Sequence, residues 1–543
     1  MIDVKKMIAQ MTDDEKIGQL FMLGIHGTTL SDNSESAASA IDLIKNYNIG
    51  GIILFARNIT GGEQIAKMIR EIKSHAKFPP AVSIDQEGGL VLRLTTGATV
   101  MPGNMALAAC PDDQSDNMCG MWGEITAKEL RNLGFTLNLA PVLDINCNPQ
   151  NPGIGARSFS DSPEICSKLG TALIKSVQKN GLSACAKHFP GKGNAAVDAH
   201  LDLPSIPSTL QEMENFELIP FKNAINSGVD AVMTAHVVFS GIPGENLPAT
   251  LSHGILTGLL KEKLGFKGAL ITDDMEMGAI AKYYPQDEAC FKSFMAGADI
   301  ILICHTKELQ VKTINLFKEK LRTGELPLER LNDALTRILN LKARFENHKS
   351  AASETIDFKK HENYSMIAAE KSITLVSDKN QVLKTAASLK NGIINIFEPK
   401  FSAITQVEDI EEKSPFFTLL SDELKNNGNT VNHIIYNVKI TDDEISKILS
   451  ETDFKNSVNI ILTYNGHLFR KQIELGNKIY NLTGNLIAAA VRNPYDLALI
   501  NENAARIATF GFRKNNMTAL FELIAGKIAA QGKLPVSFEK VKL

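Results

Sequence analysis

Leu182–Pro204 reads LSACAKHFPGKGNAAVDAHLDLP, and its two halves ask for different structures. The first eight residues form a short, mostly apolar run between Gly181 and Pro190, which suits a strand buried on both faces. The rest is a Gly/Pro-bearing loop too irregular for a helix. A buried strand that ends in Lys187-His188 and runs into a polar loop is the arrangement found at the carboxyl end of an α/β barrel strand, where such barrels keep their functional groups.

The pattern repeats in both directions. Upstream stand QLFMLGI near residue 19, GGIILFA near 50, AVSIDQE near 81 and TLNLAPVLDI near 136. Downstream stand VDAVMTAHV near 229, GALITDD near 268 and DIILICH near 299. Helical patterns separate these runs, and Thr12 to Glu15 and Ser208 to Gln211 both read as capping boxes. Eight strand–helix units over roughly 340 residues predict a (β/α)8 TIM-type barrel with insertions. The chain then turns polar in ENHKSAASETIDFKKHE, which is read as a linker. Strand–helix alternation resumes with SITLVSD, GIINIFE, VNHIIYNV, VNIILTYN, LIAAAV and ARIATF. The expected α/β organisation is a barrel over residues 1–346, a linker over 347–363 and a smaller α/β/α sandwich over 364–543.

Bulk properties exclude several classes. At 543 residues the chain is too long for one core, and 44% hydrophobic with 22% charged residues is ordinary for a globular protein. With 57 Lys plus Arg against 61 Asp plus Glu, there is no basic surface for nucleic acid and no polybasic run for a membrane. MIDVKKMIAQM mixes charges into its apolar residues, and no later stretch is long enough to span a bilayer, so a cytoplasmic protein is expected. The seven cysteines include no CxxC pair and suggest neither a disulfide framework nor a zinc site.

Polar residues gather at the expected strand ends: Asp85, Asp144, Lys187 and His188, His236, then Asp273 and Asp274. In the loop that follows His188, Asp198 and His200 are two apart and can meet. Asp198 would then hold one ring nitrogen and leave the other for proton transfer. The plainer alternative is a turn-capping aspartate beside a solvated histidine. ITDDMEMGAI, Ile271–Ile280, ends a buried strand in adjacent acids, and alternation would let only one of them face the barrel mouth. A carboxylate there can attack an anomeric carbon or ligate a metal, while Asp274 suits a helix N-cap. GKGNAA matches a dinucleotide fingerprint, but no long apolar helix follows it. Lys187 as a Schiff-base lysine would need a depressed pKa that nothing local supplies.

Taken together, these segments resemble glycoside hydrolase family 3, and within it the bacterial β-N-acetylglucosaminidases. SIDQEGGLVLRL (Ser83–Leu94) resembles the family's Asp-x-Glu-Gly-Gly segment. NLAPVLDINCNPQNPGIGARSFSDSPE (Asn138–Glu164) follows its pattern over nearly every position. KHFPGKGNAAVDAHLDLP resembles the Lys-His-Phe-Pro-Gly loop that ends in Asp-x-His, and ITDDMEM resembles the nucleophile segment. AAVRNPYDL and KLPVSF resemble pieces of the second domain.

The resemblance implies Asp273 as nucleophile, because it directly follows Thr272, with His200 as acid/base and Asp198 as its partner. It implies Asp85, Arg93, Arg157, Lys187 and His188 as holders of sugar hydroxyls and the acetamido group. Strand-end position adds Asp144 and His236 to that shell. Three residues depart from the pattern: Lys192 where His is expected, Ala199 for a Ser, and Leu90 for an Arg. Lys192 and Leu90 are both expected at the pocket border.

The implied reaction is retaining hydrolysis of terminal β-linked N-acetylglucosamine from muropeptides or chitin fragments. It needs no metal and no organic cofactor, and its partner is the carbohydrate substrate alone. The alternatives are a family 3 β-glucosidase or glycoside phosphorylase, and a sugar-binding protein without turnover. Since the reacting groups all fall in the barrel, deleting the chain after residue 362 is expected to affect solubility more than chemistry.

Overall fold

The computed structural model describes residues 4–347, 355–401, 403, 408 and 428–541. Eight strands form the first sheet: β1 (Phe21–Gly24), β2 (Gly51–Leu54), β3 (Ala81–Ile84) and β4 (Leu137–Asn138), then β5 (Ser183–Phe189), β6 (Ala231–Thr234), β7 (Ala269–Ile271) and β8 (Ile301–Ile303). Every neighbour pair is parallel, β1 pairs with both β2 and β8, and an Ile271–Ile300 bridge joins β7 to β8 and closes the barrel. All eight strands are buried along their whole length, which is why their sequences are continuous apolar runs.

β4 is far shorter than the run near 136 predicts. Pro141 has no N–H to give to the ladder, so regular pairing stops at Asn138. It is taken up again where Lys187 donates to Pro141 O and Leu143 donates to Lys187 O. The Thr12–Glu15 capping box is present. The second box is one residue later than expected, on Thr209 and Glu212, because Ser208 donates its hydroxyl to Glu217 instead.

Of the expected linker, residues 348–354 lie outside the described residues, and Phe358 already opens a helix that runs to Ser372. Beyond it come β9 (Thr374–Ser377), β10 (Ile393–Lys400), β11 (Thr430–Asn437), β12 (Ser457–Thr463), β13 (Leu486–Ala490) and β14 (Ala505–Ala508). The sheet order is β9-β14-β13-β12-β10-β11, with only β9 antiparallel.

Alternate residues of these strands enter two different cores. Ile460, Leu462, Ile487 and Ala489 pack on one side, and Ile461, Leu486 and Ala488 on the other. The first core also contains Leu90, Val91, Met105, Ala106 and Ala156 of the barrel, so the two domains share an apolar interface.

Candidate active site

A cavity of about 340 Å³ opens at the carboxyl ends of the barrel strands. Asp85, Arg93, Arg157, Lys187, His188, His200 and Asp273 all border it, joined by Lys192. Asp144 and His236, expected in the same shell, do not. Both are fully buried and occupied by protein groups. Leu90 is also absent from the wall, because its side chain belongs to the interdomain core.

One side of the cavity is a buried charge cluster. Lys187 Nζ lies 2.7 Å from Asp85 Oδ1 and 2.6 Å from Glu87 Oε1. Arg157 meets Glu87 in a two-pronged contact, Nε–Oε2 at 2.9 Å and Nη2–Oε1 at 2.8 Å. Burial alone would raise the Glu87 carboxyl, but Arg157 and Lys187 outweigh it and hold the group down to about 2. Burial likewise works against the Lys187 charge, and Asp85 and Glu87 overcome it, so the lysine's pKa is raised. An ammonium held this firmly is no Schiff-base nucleophile.

Lys187 and His188 both face the cavity although they are neighbours, because the β5–β6 register shifts between Lys187 and Phe189. His188 Nδ1 donates to Asp144 Oδ2 at 2.7 Å. Burial, with Lys192, Arg157 and Lys187 adding to it, pushes His188 well below its ordinary pKa, so the ring is neutral. Its Nε2 therefore presents a lone pair to the cavity and can accept a hydroxyl proton. Asp144 also accepts the Lys192 backbone N–H at 2.6 Å. Next in line, Gly193 packs so tightly that a Cβ there would sit 1.7 Å from Ile145 O. These contacts pin the backbone on both sides of the Lys192 side chain.

Strand β7 ends at Ile271, so alternation does not govern the two acids after it, and both Asp273 and Asp274 reach the cavity wall. Their partners differ. Asp274 accepts the backbone N–H groups of Glu276 and Cys304 and faces His305 at 3.3 Å. It caps a turn and not the expected helix, which starts only at Gly278 with Met277 in the capping position. Asp273 Oδ1 accepts the Asp274 N–H at 2.9 Å, which leaves Oδ2 facing Lys192 Nζ at 3.5 Å and His188 Nε2 at 4.0 Å. Burial raises the Asp273 carboxyl, Lys192, His236 and His200 pull it down, and the balance lies at about 2. The carboxylate is ionised at any neutral pH.

Asp198 and His200 do meet: His200 Nδ1 lies 2.8 Å from Asp198 Oδ1, which also accepts the His200 backbone N–H at 3.0 Å. With Nδ1–H held by a carboxylate, Nε2 is the free nitrogen. Burial raises the Asp198 carboxyl, but its bonds to His200 more than offset this and its pKa is lowered. Gly278 and Ala279 donate to the carbonyls of His200 and Ala199, and Ala199 packs with Met277 and Ala279. The alanine that replaces the usual serine thus joins the dyad loop to the segment just after Asp273.

GKGNAA forms loop without a following helix, so no dinucleotide cradle exists there. Sequence reasoning missed Glu87 as a site residue, although it stands in the same Asp-x-Glu segment as Asp85. It also missed a rim group, where Arg57 stacks 4.4 Å over the Phe55 ring and touches His305 Nδ1 at 3.3 Å. No local signal in the sequence pointed to that group.

Comparison with known proteins bears on the fold and the family. The family model described as "Glycosyl hydrolase family 3 N terminal domain" matches residues 12–341. Beta-hexosaminidase A of Pseudoalteromonas piscicida is 32% identical over 379 residues, 64% of this chain and 63% of that protein. A beta-hexosaminidase of Neisseria meningitidis serogroup B is 37% identical over 268 residues, 48% of this chain and 73% of that one. The solved family 3 β-N-acetylglucosaminidase of Paenibacillus sp. str. FPU-7 superposes with a TM-score of 0.87 at 34% identity, over 98% of this chain and 100% of its own. A barrel ending in this cavity, the model match across it and a full-length structural relative lead to one assignment: the chain belongs to glycosyl hydrolase family 3.

Proposed function

We propose that this glycosidase removes terminal β-linked N-acetylglucosamine from muropeptides or chitooligosaccharides by double displacement, with retention at the anomeric carbon. The observation that supports the reading is an ionised carboxylate, Asp273, and a carboxylate-held imidazole, His200, bordering one small cavity. A volume of about 340 Å³ suits one sugar ring, as removal of a terminal residue requires.

In the first step an Asp273 oxygen bonds to C1 while His200 Nε2–H protonates the departing oxygen. In the second, His200 takes a proton from water, the water oxygen bonds to C1, and Asp273 leaves as carboxylate. Glycosidases of this type commonly use a carboxylic acid as the proton donor. An imidazole adds no negative charge beside Asp273 once it has given up its proton, and Asp198 offsets the charge it gains.

Arg157, Lys187 and Arg93 donate to the sugar's oxygens and acetamido carbonyl, and Asp85 and His188 Nε2 accept from its hydroxyls. Asp144 acts by orienting His188 and Lys192, and His236 by holding Asp274 O behind the nucleophile. The same reading assigns the chemistry to a barrel over 1–346 and a supporting role to the domain from 364. It assigns the protein to the cytoplasm and to peptidoglycan recycling. Among the described residues, no helix is long and apolar enough to cross a membrane.

The test is hydrolysis of p-nitrophenyl β-N-acetylglucosaminide and β-glucoside by wild type and by Asp273→Asn, in water and with added phosphate. Preferential cleavage of the acetamido sugar, lost on the order of 10⁴-fold or more in the variant, supports the reading. A preference for glucose, or turnover that depends on phosphate, replaces it with one of the family's other activities.

A further inference from the structure

We propose that Lys192 is a catalytic residue of the second half-reaction, the ammonium that receives the charge returning to Asp273 when the glycosyl ester is hydrolysed. The inference rests on the double-displacement reading and deepens it.

Its ground is the surroundings of one oxygen. Asp273 Oδ1 is engaged by the Asp274 N–H, so the charge not yet compensated lies on Oδ2. Among the described residues, two side chains with nitrogen lie within ion-pair reach of that atom, Lys192 Nζ at 3.5 Å and His188 Nε2 at 4.0 Å. His188 is neutral with its ring N–H turned to Asp144, which among the described residues leaves Lys192 as the full positive charge in contact with this oxygen. Lys187, by contrast, sits between Asp85 and Glu87, and its charge is balanced by them.

Among the described residues, Asp273 is the one carboxylate within ion-pair reach of Lys192, whose side chain is 10% exposed. Its ammonium is therefore nearly buried, has three donors and faces the reacting carboxylate. The close approach of Gly193 to Ile145 O and the bond from the Lys192 backbone to Asp144 hold it in that position. After burial, which acts in the other direction, Lys192 is the largest influence on the Asp273 carboxyl.

A cation at this place acts unequally on the two steps. Attack on C1 converts the carboxylate into a neutral ester, so an ammonium that stabilises the free carboxylate does not speed that step. Hydrolysis runs the other way. The water oxygen bonds to C1, its proton goes to His200 Nε2, the bond from C1 to Asp273 breaks, and the electron pair returns to the carboxylate facing Lys192. Charge that develops in the transition state beside a fixed cation is where preorganised electrostatics lowers a barrier.

The test uses the full chain with 2,4-dinitrophenyl β-N-acetylglucosaminide, whose good leaving group makes the first step fast. Lys192→Met and Lys192→Gln are compared with wild type and with Lys192→Arg, which keeps the charge. Steady-state rates are combined with rapid quench and mass measurement of the intact protein and of the peptide carrying Asp273.

The expected result for Met and Gln is a fall in kcat on the order of 10- to 100-fold, at or below the loss from removing one aligned oxyanion donor. KM falls in parallel, kcat/KM changes little, and the glycosyl-enzyme accumulates on Asp273. The Arg variant keeps most of kcat. If the Met protein does not fold, Gln against Arg carries the comparison. A parallel fall of kcat and kcat/KM without accumulation, while wild type is still labelled on Asp273, overturns the role of Lys192 alone. A wild-type adduct on any residue other than Asp273 overturns the double-displacement reading itself.

Discussion

Asn493 Oδ1 accepts the backbone N–H of Ala156 at 2.7 Å, so a residue of the second domain fastens the loop that carries Arg157. Other bonds secure the same loop. His467, held by Asp496, reaches Pro149 O at 2.9 Å, and Asn146 Nδ2 donates to Tyr495 at 3.1 Å. The fit is close: a Cβ on Gly155, whose φ is +47°, would lie 2.3 Å from Asn493 Oδ1. The loop between β4 and the helix at Pro163 holds only one short 3-10 turn of its own, Gly155–Arg157. Its shape is set jointly by these bonds and by the barrel, where Asn104 Nδ2 donates to Arg157 O and Asn151 Nδ2 donates to Lys192 O and Gly193 O.

Asn493→Ala leaves the Ala156 N–H buried without its acceptor, at a cost of about 1–3 kcal/mol. Arg157 loses its placement, and on the proposed reading, in which it holds the sugar in substrate and transition state alike, KM rises about tenfold with a smaller change in kcat. Steady-state kinetics beside a thermal melt separate this from general unfolding. An unchanged KM would show that the loop keeps its shape without Asn493.

Deletion of the chain after residue 362 abolishes turnover even in protein that stays soluble, contrary to the expectation drawn from sequence. The deletion strips the supports of the Arg157 loop and exposes the apolar patch around Leu90, Val91, Met105 and Ala106. Activity of the soluble fraction, with circular dichroism to verify folding, measures this. Turnover near that of the full chain would return the second domain to a purely solubilising role.

Glu87→Gln removes the carboxylate between two buried cations, and loss of one partner from such a cluster costs about 3–5 kcal/mol. Glu87 titrates near 2 when folded, against an ordinary 4.5, so the stability it adds is complete above the ordinary value and is lost as pH falls toward 2. The integrated contribution is about 3 kcal/mol. Urea unfolding at pH 6 and pH 3 should show a larger drop in wild type than in the variant, which retains only the part owed to other lowered carboxylates such as Asp273. Equal drops in both would mean that other carboxylates govern acid unfolding.

Asp198→Asn withdraws the charge that stabilises the His200 imidazolium. The first step, read as kcat/KM, slows on the order of 10²-fold for substrates with poor leaving groups and much less for dinitrophenyl glycosides, which need little proton assistance. A loss independent of leaving group would assign Asp198 to loop folding.

The strands were legible from sequence for a simple reason. A parallel sheet covered on both faces needs apolar runs, and eight such runs stand where the eight barrel strands lie, while six more mixed β-rich segments mark the second sheet. The exception, β4, fails at Pro141, a residue whose effect on pairing could have been anticipated. Asp198 and His200 were legible as a pair because two residues in one loop meet without help from the rest of the fold.

Sequence by itself determined the architecture, the family resemblance and the candidate reacting groups, since these depend on local pattern and on ordered motifs. Only the tertiary structure decided what those groups feel. Lys192 is 81 positions from Asp273, and Glu87 is 70 from Arg157 and 100 from Lys187. Folding alone put Leu90 in an interdomain core and Asp144 behind the cavity wall. Charge interaction and burial depend on distance in space, and distance along the chain does not encode it.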